Sequence, residues 1–279
     1  MDWLLNPLSY DFMRQTRLAS VLVGILCPVI GTYLIVQRMA MLGDVVAQGV
    51  LPGLAIASFL NLPILAGAFA CGLFSTFVIA WIRAQSRIKV DTAMAITFSA
   101  FLSLGITLLT VFRSRVSLEQ LLFGDILSID VSDVWQIAAI AALVLLGEVL
   151  FYKELLFFTF GPQGAEALGL PVQRINLGLM AAITLAIIAG MKTVGVILAL
   201  ALMVGPAATA YLLVKELHWM MILGAALGVL FGGAGMYGSY YLDIPSGPAI
   251  GLTVFAGFLL ALFFSPRQGI LGRWVSGYR

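Results

Sequence analysis

Residues 16–37 read TRLASVLVGILCPVIGTYLIVQ, with no charge between Arg17 and Arg38. A bilayer's hydrocarbon core is about 30 Å thick and takes about 20 apolar residues of helix. That is the length of this run. It is too long for the apolar segment of a signal peptide and lacks a clear cleavage site after it, so it is expected to stay in the protein as a span. Eight similar runs follow, at 42–60, 63–82, 92–112, 134–151, 174–191, 193–214, 219–241 and 248–264. The chain therefore reads as an all-α, polytopic helical membrane protein with about nine transmembrane helices. Ahead of the first run, residues 1–15 mix Trp3, Tyr10 and Phe12 with polar residues and suit a segment lying along the interface. Residues 16–264 form the transmembrane domain, and 265–279 a short tail.

Composition supports this reading. Of the 279 residues 62% are hydrophobic and 10% charged, and the mean hydropathy is +1.08. Water-soluble domains carry about 25% charged residues, and disordered chains are still more polar. A membrane β-barrel would show short alternating segments instead of long unbroken ones. The net charge of +2 gives no basic surface for nucleic acid. Cys27 and Cys71 lie far apart in apolar runs and read as small buried residues. With His218 the sole histidine, no multi-histidine metal site can be built within one chain.

Charge placement orients the chain. Counting Lys and Arg in alternate loops with the N-terminus outside puts ten on the inner side and five on the outer, as the positive-inside rule favours. The 152–173 loop and the C-terminal tail are then cytoplasmic. Within the eighth run, Gly224, Gly228 and Gly232 recur every four residues, a spacing that lets helix backbones approach closely. Gly190, Lys192, Gly195 and Gly205-Pro206 interrupt the chain where the sixth and seventh runs meet; both a broken helix lining a cavity and a plain kink fit that pattern.

Three charges fall within or at the edge of spans. Glu148 and Lys192 are near span ends, where snorkelling or capping accounts for them. Asp44 is harder to dismiss, because an ionisable group at membrane depth is costly. On a helix Asp44 and Gln48 share a face and present oxygen donors that suit a divalent cation. Two ligands do not close a site, so water, other helices or a second subunit would have to complete it. The spacing fits equally well with Asp44 as a helix cap and Gln48 bonded to a neighbouring helix.

The loop from Tyr152 to Arg174 holds Gly161-Pro162-Gln163-Gly164-Ala165-Glu166-Ala167-Leu168-Gly169-Leu170-Pro171. Its Gly-Pro start and Gly-Leu-Pro stop predict one short helix along the membrane surface, suited either to docking a cytoplasmic partner or to connecting two spans. The chain contains no phosphate-binding GxxxxGK[ST], no HExxH and no Ser-His-Asp constellation. Catalysis by this chain is not expected, and ATP hydrolysis, if it drives transport, must reside on another subunit.

Ordered along the sequence, Gly43–Gly53 resembles the GDAxSHAxLPG stretch of the metal-ion ABC permeases that import manganese, zinc or iron(II). Leu122–Leu127 resembles their LxGDIL segment, and Phe160–Leu170 their coupling segment ending in Ala-x-x-Leu-Gly. Val194–Leu198 followed by Pro206–Ala210 is similar to VGxxL…PAATA, and Asp243–Pro248 to the D-x-PSG turn. The resemblance implies a permease, as a homodimer or a pair of related chains in the bacterial plasma membrane, with Asp44 and Gln48 at the metal position. It further implies that Gly164, Glu166, Ala167, Leu168 and Gly169 dock an ATP-binding subunit, and that an extracytoplasmic metal-binding protein delivers the ion. Pro52, Pro206, Asp243 and Pro245 fall in its path-lining or packing motifs. The bound species would be cargo, with no permanent cofactor. Gln48 departs from the family's histidine; loss of the imidazole removes the ligand best suited to zinc and leaves donors that favour manganese or iron(II). A permease for a metal chelate such as a siderophore, haem or cobalamin, or an ATP-independent secondary transporter, are the competing expectations.

Overall fold

The computed structural model describes residues 11–112, 131–242, 244 and 246–265. The Leu122–Leu127 segment, Asp243 and Pro245 lie outside them, as do the first ten residues and the tail beyond Ser265. Among the described residues there is helix and no strand. The long helices are α1 (Asp11–Val36), α2 (Met41–Phe59), α3 (Ile64–Gln85), α4 (Val90–Val111), α5 (Val131–Leu150), α8 (Val172–Val194), α9 (Val196–Leu213), α10 (Leu217–Leu242) and α11 (Ser246–Phe264). Two short helices, α6 (Tyr152–Phe160) and α7 (Pro162–Ala167), lie between α5 and α8. All nine expected spans are present, and each of the nine long helices is apolar enough to cross a membrane.

The spans divide by environment. α1 and α2 are the centre, with 72% and 78% of their spanning windows buried, whereas α3, α5 and α11 bury 22%, 22% and 17%. α2 packs on α3 and α4, and α1 on α5, α8, α9 and α10. The peripheral helices turn large apolar side chains outward, including Phe74, Phe77, Leu143 and Phe255. In a bilayer such side chains need no aqueous shielding, so burial here reports packing against protein alone.

Small residues set the closest approaches. Antiparallel α1 and α10 meet in steps of four residues. A Cβ at Gly224 would lie 3.5 Å from Pro28 Cβ, one at Gly232 would lie 3.1 Å from Ser20 Oγ, and one at Gly228 would overlap the Gly24 carbonyl oxygen. The Gly224-Gly228-Gly232 ladder is thus a packing seam, as its spacing predicts. Pro28, Pro52 and Pro206 each sit inside a helix, where neighbouring helices and backbone adjustment accommodate them.

The irregular junction of the sixth and seventh runs is a turn of a single residue. Gly195 takes φ 82° and ψ 163° between α8 and α9, a conformation open essentially to glycine. A Cβ at Gly190 would be 2.6 Å from Ala199 Cβ. Nine residues of continuous helix would separate those positions by about 13 Å, so the chain reverses and α9 returns antiparallel to α8.

α6 was not legible from the sequence, where the loop predicted one short helix. It buries Leu155, Phe158 and Thr159, and Gln37 Nε2 donates to Thr159 Oγ1 at 3.5 Å, tying it to the chain between α1 and α2. This contact puts the start of α2 at the end of the bundle that carries α6 and α7.

Candidate functional site

Asp44 lies in the first turns of α2, at that same end. Apart from Asp44 and Gln48, Met41–Leu51 carries only apolar side chains and glycine, so burial is energetically straightforward for the rest of the segment. Asp44, Gln48, Leu51 and Ala55 form one stripe at helical spacing. Each flank of α2 is fixed by a close contact. At Gly43 a Cβ would sit 3.0 Å from Leu200 Cδ2 and 3.7 Å from Met203 Sδ of α9; at Gly49 it would sit 2.6 Å from Ser75 Cβ of α3. At Gly105 of α4 it would lie 2.7 Å from Leu51 Cβ and 3.3 Å from Pro52 Cδ. Pro52 therefore packs against α4, while Pro206 is buried within α9.

The two capping and bonding explanations are not realised. Ala40 occupies the N-cap of α2 with no side-chain cap hydrogen bond, so Asp44 does not serve as the cap. Gln48 is 8% exposed, yet its Oε1 has no hydrogen-bond partner among the described residues. A buried amide oxygen left unpaired costs free energy comparable to a lost hydrogen bond, and a ligand would offset that cost. Asp44 is half-buried. Among the described residues no group of three or more His, Cys, Asp or Glu could hold a metal ion. Asp44 and Gln48 place two oxygen-bearing side chains on one face of α2, too few to close a coordination shell by themselves.

In the loop, Pro162 begins α7 and Gly169, at φ 78°, ends it. Leu170 N donates to Ala165 O at 3.1 Å and Gly169 N to Glu166 O at 2.9 Å, a Schellman arrangement that satisfies the last carbonyls. Ala165 is buried, anchoring the turn, whereas Gly164, Glu166, Ala167, Leu168 and Gly169 face outward. Leu168 is 67% exposed. The segment presents an apolar tip beside a carboxylate on a fixed backbone.

Glu148 is where the expectation from sequence fails. Instead of snorkelling at a span end it is 7% exposed, because α1 closes over the last turn of α5. Both carboxyl oxygens, and the hydroxyl of Tyr33 beside them, lack hydrogen-bond partners among the described residues. The acidic residue in an apolar run was a visible signal; that another helix covers it was not.

The described residues hold nine helices long and apolar enough to cross a membrane, as a polytopic membrane protein requires. Residues 9–265 match the model of the ABC 3 transport family, and the chain belongs to that family. It is 41% identical over 98% of its length to the manganese transport system membrane protein MntC of Halalkalibacterium halodurans, covering 94% of that protein. It is 34% identical to the probable iron transport system membrane protein of Haemophilus influenzae, over 98% of this chain and 97% of that one. The solved structure of PsaBC from Streptococcus pneumoniae in complex with Fab superimposes with a TM-score of 0.89 at 33% identity, covering 100% of this chain and 99% of that one.

Proposed function

We propose that this chain is the membrane-spanning permease of an ATP-driven importer for divalent transition-metal ions in a bacterial plasma membrane, with manganese favoured over zinc or iron(II). The observation that carries the reading is the Asp44–Gln48 pair: two oxygen donors on one face of the most buried helix, one of them without a partner. A carboxylate and an amide oxygen are hard donors that suit manganese. The names of the manganese-transporting relatives support the same cargo. A second permease copy, or a related chain, would complete the shell and form one path between the two. An extracytoplasmic metal-binding protein would deliver the ion.

Hydrolysis would take place on a separate ATP-binding subunit docked on α7 through Glu166 and Leu168, with Gly164, Ala167 and Gly169 shaping the contact. Closure of the ATPase pair would bias a two-state arrangement of the helices, transmitted through α6 and its tie to Gln37. The test is metal uptake in cells, with Mn, Zn and Fe(II) competed against one another in wild type and Asp44→Ala. Loss of manganese uptake with the protein still in the membrane is expected; uptake unaffected by Asp44→Ala would overturn the assignment and favour a chelate permease.

A further inference from the structure

A cavity of about 590 Å³ lies between α1, α5, α6 and α8. Its walls are almost wholly apolar, with Val144 of α5, Leu155 of α6 and Ile175 and Leu179 of α8 among them. Tyr33 and Glu148 also border it, but their side-chain oxygens are buried away from its open space. Between α5 and α8 the cleft opens sideways. Gly147 and Gly178 stand there, and a Cβ at either would meet nothing within 4 Å, while Leu143 and Leu177 nearby are exposed on the same helices.

The depth of the cavity is informative. On α8 its lining runs from Arg174 to Leu185, about 16 Å of helix. That is about half of a hydrocarbon core of about 30 Å, the depth of one leaflet. Arg174 is in the first turn of α8, so the cavity starts at the membrane surface that carries α6 and α7 and reaches towards the midplane. On the orientation that the placement of Lys and Arg favours, this is the inner leaflet. Ordered water needs about three polar partners, which these walls do not offer. An acyl chain matches them in both length and chemistry, and restores the dispersion contacts that an unfilled cleft would forfeit.

The open end carries one charge of each sign. Arg174 and Glu154, the latter in the first turn of α6, both line the cavity there, and neither makes an ion pair among the described residues. A purely anionic headgroup would be repelled by Glu154. A zwitterionic one satisfies both: its phosphate takes paired hydrogen bonds from the guanidinium, and a primary ammonium donates to the carboxylate.

We propose that this cavity is a phospholipid site, in which one acyl chain lies in the cleft between α5 and α8 and a phosphatidylethanolamine headgroup sits at its mouth, phosphate on Arg174 and ammonium on Glu154. The site adjoins both ends of the α6–α7 segment, where α5 runs into α6 and where Leu170 and Pro171 lead into α8. A bound lipid therefore braces that segment against the spans on either side.

The experiment is native mass spectrometry of the full-length chain in detergent, offered dioleoyl phosphatidylethanolamine, phosphatidylglycerol or phosphatidylcholine in turn. Wild type is expected to retain phosphatidylethanolamine over each of the others by about tenfold, the scale of one charge-assisted hydrogen bond. Arg174→Gln and Glu154→Gln should each lose that preference, and Glu154→Gln should shift it towards phosphatidylglycerol. Gly178→Leu places a side chain in the open cleft without touching protein, and should lose all three lipids with an unchanged Tm. Equal retention of the three lipids by wild type, or a preference for phosphatidylglycerol, would overturn the proposal. So would lipid retention unaltered by Gly178→Leu, and loss of a dimer in place of lipid would give the cleft to a second copy of the chain and overturn it as well.

Discussion

The seam between α1 and α10 permits a graded test of how closely the two helices approach. At Gly228 an added Cβ would overlap the Gly24 carbonyl oxygen and lie 2.6 Å from Pro28 Cγ. Neither neighbour can yield: one is backbone, the other a ring locked into the helix. Alanine at 228 must push the helices apart by roughly 1 Å, and a gap of that size forfeits about a quarter to a half of each affected dispersion contact. Overpacking of this kind costs about 1–3 kcal/mol, which in a chain of this size lowers Tm by roughly 2–10 °C. The reciprocal position is looser. A Cβ at Gly24 would sit 3.1 Å from the Gly228 carbonyl oxygen, so Gly24→Ala requires a shift of a few tenths of an ångström and should cost less, about 1 kcal/mol or below. At Gly233 an added Cβ meets nothing within 4 Å, and Gly233→Ala should be neutral or slightly stabilising, since alanine is the better helix former. Thermal scans read by fluorescence-detected size exclusion would rank the three variants. Equal midpoints for Gly228→Ala and Gly233→Ala would refute the close approach on which the packing of α10 depends.

Two further outcomes bear on function. If Gln48 coordinates the cargo, Gln48→His should raise zinc uptake or zinc inhibition relative to manganese by about tenfold, roughly 1.4 kcal/mol, measured by competition in cells; unchanged metal preference would mean that Gln48 only packs. If α7 docks the ATP-binding subunit, Glu166→Ala with Leu168→Ala should weaken copurification of that subunit by about ten- to a hundredfold, the worth of burying one leucine at roughly 1.5–3 kcal/mol. Both side chains are exposed in the chain itself, so its own stability should be unchanged; an intact complex would count against the docking surface.

The spans were legible because their cause is local. A hydrocarbon layer of about 30 Å imposes a minimum apolar length on each helix, and a run either meets it or does not, whatever its neighbours. The glycine ladder of α10, the proline and glycine that bracket α7, and Asp44 as a charge out of place were legible for the same reason, as they rest on spacing and composition. What covers a residue is a different kind of fact. Glu148 is one turn from the end of α5 in sequence, a position from which it could reach water; only the crossing of α1 over that turn buries it. The spacing of Asp44 and Gln48 left a cap, an interhelical bond and a ligand pair equally open; only the packed helices show that the N-cap falls at Ala40 without a side-chain bond and that Gln48 Oε1 is unpaired. Gly195 announced an interruption, but the reversal into an antiparallel pair required the contact of Gly190 with Ala199. By itself the sequence determined how many helices are long and apolar enough to cross and, to within a few residues, where each lies, because the bilayer acts on one helix at a time. The tertiary structure alone decided which polar atoms lose water without finding a partner, because that depends on the face each neighbouring helix presents.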